Sequence, residues 1–78
     1  MKLNVKYFGL IAEWMGRSEE QIDLLENSIA ALRQQLETNC RRLSNITYQV
    51  AVNQKIASEE LELSENDEVA ILPPFAGG

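Results

Sequence analysis

Along the opening of the chain Leu3, Val5 and Tyr7 alternate with Asn4, Lys6 and Phe8, the period-two pattern of a strand with one face buried and one open. This predicts a first strand over residues 2–8, and alternation puts Phe8, a large aromatic, on the side of Asn4 and Lys6. The next stretch, "GLIAEWMG", is bracketed by Gly9 and Gly16 and reads as a short helical or irregular turn. In "EEQIDLL" a weak alternation sets Gln21 and Asp23 against Ile22 and Leu24, which predicts a hairpin return over 19–25.

The period then changes. Behind Ser28, a good N-cap, Ile29, Leu32, Leu36, Cys40 and Leu43 recur at spacings of three and four, predicting an amphipathic helix over 29–39 with a wet face at Arg33, Gln34, Gln35 and Glu37. "YQVAVN" is strand-like, Asn53 and Gln54 form a turn before "KIAS", and a second turn spans 64–67. A last strand covers 68–72 and is ended by Pro73, which cannot donate to a ladder. One amphipathic helix laid across a mixed sheet buries both apolar faces. The expected architecture is an α+β roll with first and last strands side by side in parallel, as in the β-grasp fold of ubiquitin.

Composition narrows the function classes. Seventy-eight residues, 45% of them hydrophobic, suit one folded domain. A formal charge of −5 with seven scattered bases argues against nucleic-acid binding, which needs clustered cations. Cys40 is the only cysteine and histidine is absent, so an intrachain disulfide and a Cys/His zinc site are both excluded. A reducing cytosol is the expected compartment. The opening segment is interrupted by Asn4, Lys6 and Glu13, so it lacks the unbroken apolar run of a signal peptide, and no stretch is long enough to cross a membrane.

The chemistry concentrates in the closing "PPFAGG". Pro73 and Pro74 stiffen the exit from the last strand, and six extended residues reach roughly 20 Å. The expected division is a folded domain over 1–72 and a flexible tail over 73–78. Gly77 and Gly78 carry no Cβ and let the walls of a narrow channel approach the main chain closely. The reactive group at the tip is the Gly78 carboxylate, a poor electrophile until adenylation provides a leaving group that sulfur or an amine can displace. With no histidine, no Ser/Lys dyad and no phosphate-cradling loop, the domain borrows its catalysis.

Four blocks, "VKYFGLIAEWMG", "SIAALRQQL", "VAVNQKIAS" and "LSENDEVAILPPFAGG", resemble the MoaD family of molybdopterin synthase sulfur carriers, within the ubiquitin-like MoaD/ThiS group. The acidic turn, hydrophobic strand, paired prolines and terminal glycines of the last block are the most specific part. The resemblance implies that a MoeB-like adenylyltransferase uses ATP to activate Gly78 and that a sulfur-donor enzyme converts it to a thiocarboxylate. Gly77 would thread the channel of a large MoaE-type subunit, where sulfur passes to cyclic pyranopterin monophosphate in a heterotetrameric complex. No metal and no permanently bound cofactor is implied for the chain. The same tip chemistry would also serve a thiamine-type or tRNA-thiolation carrier, or a ubiquitin-like modifier.

Candidate partner contacts follow from the strand phases. Phe8, Leu72 (out of phase with Val69 and Ile71) and Ile56 in "KIAS" would form an exposed apolar patch at the root of the tail if the first and last strands are neighbours; ordinary core packing is the competing reading for each. Phe75 either anchors the tail in a partner's groove or packs back on the domain. Cys40 falls in phase with the buried helix positions and reads as core, and Trp14 as a lid on the core rather than a stacking platform.

Overall fold

The computed structural model describes residues 1–74 of the chain. Strand β1 (Lys2–Tyr7) leads into a short helix α1 (Gly9–Met15) and returns as β2 (Glu19–Asp23). Helix α2 (Ile29–Asn39), a 3-10 turn (Arg41–Asn45), β3 (Gln49–Val52), β4 (Lys55–Ile56) and β5 (Glu68–Leu72) follow. The sheet order is β2-β1-β5-β3-β4, with β5 parallel to β1 and antiparallel to β3. This is the expected α+β roll, and the first and last strands pair in parallel down its centre.

Local chemistry accounts for α2 and for both turns. The Ser28 hydroxyl accepts from the Ala31 amide at 3.0 Å, satisfying one of the helix's orphan donors, and α2 occupies 29–39 as its pattern predicted. Asn53 and Gln54 both have positive φ, 50° and 72°, the conformation of the tight hairpin turn that joins β3 to β4. The 64–67 turn closes through the Asp67 carboxylate, which accepts from the Ser64 amide at 2.8 Å.

Two boundaries differ from the sequence reading. The first strand stops at Tyr7, because Phe8 becomes the N-cap of α1 and Gly9 turns the chain with φ 55°. The hairpin return stops at Asp23 rather than 25: Leu24 is buried but Leu25 is fully exposed. "GLIAEWMG" resolves into a helix closed by Gly16 in the left-handed conformation, φ 74°, where a side chain would be strained.

The core lies between one sheet face and α2. Leu3, Val5, Val69, Ile71, Val50 and Val52 point into it from the strands, and Ile29, Leu32 and Leu36 cover them from the helix. Each such side chain contributes about 1.5–3 kcal/mol by leaving water. No polar or charged residue is buried among the described residues. Cys40, expected in the core, is instead half-buried at the C-cap of α2, one residue past the helix, and packs against the core's edge, as does Trp14. No described helix is long and apolar enough to cross a membrane.

Candidate functional site

The opposite sheet face is uncovered. Register identifies its members: Ala51 faces Ile56 across β3–β4, Ala70 across β3–β5, and Ala70 faces Lys6 across β1–β5. Residues opposite one another in a ladder project to the same side. Because Val50 and Val52 enter the core, the intervening Ala51, with Ala70 and Ile56, belongs to the open side. Ala51 is well shielded yet stands outside the core cluster.

Two of the predicted contacts lie toward one end of this face. The β1–β5 ladder closes at Tyr7 with Ile71, so continuing the parallel register by one residue sets Phe8 beside Leu72. Phe8 is 45% exposed, Ile56 is 58% exposed and Leu72 is half-buried. Ile56 lies three strands from β1, in the row of Ala51, Ala70 and Lys6, so small alanines fill the two strands between it and β1. Those alanines, missed by the sequence reading, could have been found from the odd-even phase of "QVAV" and "EVAIL". Leu10, 50% exposed on α1, was likewise not singled out. Phe75, Gly77 and Gly78 lie outside the described residues.

The root of the closing segment is tightly seated. A Cβ on Gly9 would stand 3.2 Å from Cγ of Pro73, and the φ of 55° already disfavours a side chain there. Thus the start of α1 and the exit from β5 approach each other more closely than most residues permit.

Charge is arranged differently on the two faces. On the open side Lys6 Nζ lies 3.7 Å from Glu68 Oε2. On the helix side Tyr7 donates its hydroxyl to Glu20, whose other oxygen meets Arg17 at 3.1 Å. Burial, reinforced by that carboxylate, pushes the Tyr7 hydroxyl well above the usual phenol range. Tyr48 is the counterpart at the start of β3: burial, then its bond to Glu37, pushes it up to about 12, with the Arg33 guanidinium 4.7 Å from the ring centre. Both tyrosines tie elements together and neither faces the open side. Among the described residues no cluster of acidic or cysteine side chains is arranged to hold a metal ion.

Known proteins resemble this chain in sequence and in fold. The chain is 34% identical, over its whole length and 99% of the relative's, to a protein of Mycobacterium tuberculosis named molybdopterin synthase sulfur carrier subunit. A Pyrococcus furiosus structure, named provisionally as molybdopterin converting factor subunit 1, superposes with a TM-score of 0.88 at 26% identity, covering 96% of this chain and 99% of that one. A Helicobacter pylori chain from a complex of subunits 1 and 2 of molybdopterin-converting factor shares the fold, with a TM-score of 0.71, 22% identity and full coverage of both chains. The sequence matches the ThiS family over residues 5–78, which takes in both the open face and the closing glycines, and the chain therefore belongs to the ThiS family, in the ubiquitin-like MoaD/ThiS group.

Proposed function

We propose that this protein is the sulfur-carrier subunit of a molybdopterin synthase. The observation that carries the reading is full-length identity of 34% to a sulfur carrier subunit of that enzyme. It is joined by an open sheet face whose apolar Phe8 end adjoins the strand leading into "PPFAGG". In this reading residues 1–72 dock and residues 73–78 are delivered. An adenylyltransferase of MoeB type directs the Gly78 carboxylate at the α-phosphorus of ATP, releasing pyrophosphate, and sulfide-level sulfur supplied by a donor enzyme then attacks the acyl carbon and displaces AMP to leave a thiocarboxylate. Adenylation is needed because a free carboxylate is a poor electrophile.

Gly77 and Gly78 then enter a larger MoaE-type subunit, where their missing side chains allow a narrow channel. Sulfur passes there to cyclic pyranopterin monophosphate. Phe8, Leu72 and Ile56 contact the large subunit, Phe75 anchors the delivered segment, and two copies of each subunit form the complex. ATP is consumed by the activating enzyme, and the carrier holds no cofactor of its own.

Mass spectrometry of the protein after incubation with the activating enzyme, ATP and a sulfur donor tests the proposal. The expected result is exchange of one oxygen for sulfur at Gly78. Deleting Gly78 should abolish sulfur transfer and leave the circular dichroism spectrum unchanged. An unmodified terminus under conditions that load a known carrier would refute the reading.

A further inference from the structure

The open face has a polar half as well as an apolar one. Register sets Lys6 in one row with Ala70, Ala51 and Ile56 on one side and Glu19 on the other. Glu19 and Glu68 line the same groove as Lys6, a depression of about 440 Å³ over β2, β1 and β5. Lys6 and Glu68 form an ion pair with side chains 43% and 48% exposed, while Glu19 has no ion-pair partner among the described residues. Glu20, at the groove's edge, is already held by Arg17 and Tyr7. The groove therefore sets two uncommitted or weakly committed carboxylates against one ammonium, in a chain whose formal charge is −5.

An apolar surface closing over this region would strip water from Lys6, Glu68 and Glu19 and leave one carboxylate without a counter-ion. Burying a charge that way is strongly unfavourable. A basic side chain entering the groove turns the same burial into charge-assisted hydrogen bonds. We propose that the open face selects a partner whose surface sets a lysine or arginine side chain between Glu19 and Glu68, beside the apolar patch that covers Phe8, Leu72 and Ile56. The apolar stripe supplies contact area and the groove supplies discrimination, because an acidic or wholly apolar competitor meets unpaired charge there. The inference rests on the docking role proposed above and specifies the partner's chemistry.

The test is calorimetric binding of the full chain to the MoaE-type subunit of the same organism at low and high salt. The double substitution Glu19→Gln/Glu68→Gln should weaken binding about tenfold and flatten its salt dependence. The control, Glu26→Gln/Glu60→Gln, removes the same charge from exposed positions outside the sheet and should change the dissociation constant less than about twofold. Thermal midpoints of all variants check that the fold is intact. Equal weakening by both pairs would reduce the effect to net charge. Tighter binding of Glu19→Gln/Glu68→Gln would mean that the partner presents a carboxylate to Lys6. Either outcome overturns the inference. If the unsubstituted chain fails to bind, the docking role itself is wrong; if it binds and Glu19→Gln/Glu68→Gln binds equally well, only the basic-side-chain inference falls.

Discussion

The two faces of one sheet are built from the same five strands and have opposite fates. On the covered face the central strands β1, β5 and β3 carry large aliphatics and Tyr7, buried in the core, while Glu20 of β2 and Lys55 of β4 stand at its two edges. On the open face the alternate positions include Asn4, Lys6, Glu19, Gln21, Ala51, Ala70, Ile56 and Glu68, with Phe8 and Leu72 at one end. The first set is large because it must fill volume. Small or charged residues of the second leave a shallow, shaped surface that a second molecule can read. Stability and recognition are thus separated by the two-residue period of a strand, and substitutions on the two faces should differ in kind.

The largest effect is expected on the covered side. Leu36→Ala removes a fully buried side chain of α2 and should cost about 2–5 kcal/mol, read as a lower midpoint in denaturant unfolding. A loss below about 1 kcal/mol would mean that the helix is loosely packed and the contrast between faces is false. Next comes Phe8→Asp on the open side. With Phe8 already 45% exposed, stability should change by less than about 1 kcal/mol, while binding to the large subunit should weaken about a hundredfold, in the range of an interface hot spot. Severe unfolding would move Phe8 to the core.

A third substitution probes the hinge between the faces. Gly9→Ala places a methyl group 3.2 Å from the Pro73 ring and forces a side chain into φ 55°, so a destabilisation of about 1–2 kcal/mol is expected. The companion Gly9→Ala/Pro73→Ala should recover the part due to the contact and none of the part due to φ. Thermal melts of the two variants separate those contributions.

The smallest effect is one of pH. Tyr48 titrates near 10.0 when unfolded, and burial and Glu37 raise it to about 12 when folded. The phenol is neutral in both states below pH 10, where its contribution is complete, and that contribution drains away as pH rises through 12. Tyr48→Phe should cost about 1 kcal/mol at pH 7 through the lost hydrogen bond and should make stability fall less steeply between pH 10 and 12. An unchanged slope would assign alkaline unfolding to Tyr7, the other raised phenol.

Much of this was legible in the residues. Ser28 and the three-and-four spacing behind it locate α2, and the alternation of Leu3, Val5 and Tyr7 locates β1. Phe8 and Leu72 stand out as candidates because each breaks the alternation of its strand, and Ile56 by its place beside Lys55 in "KIAS". Other features were hidden for physical reasons. The end of β1 at Tyr7 depends on Gly9 turning the chain toward Pro73, a residue 64 positions away in sequence. Ala51 and Ala70 are unremarkable singly and become a surface only when β3 and β5 are neighbours. Lys6, Glu19 and Glu68 converge only after three strands are set side by side in one register.

Sequence by itself determined the kinds of elements, their approximate limits and the chemical character of the "PPFAGG" end, because period, capping and backbone freedom act over a few neighbouring residues. Only the tertiary structure decided which apolar residues share a surface, which charges lie beside them and how the exit from β5 is seated. Those depend on strand order and register, and both are set by burying the whole core at once.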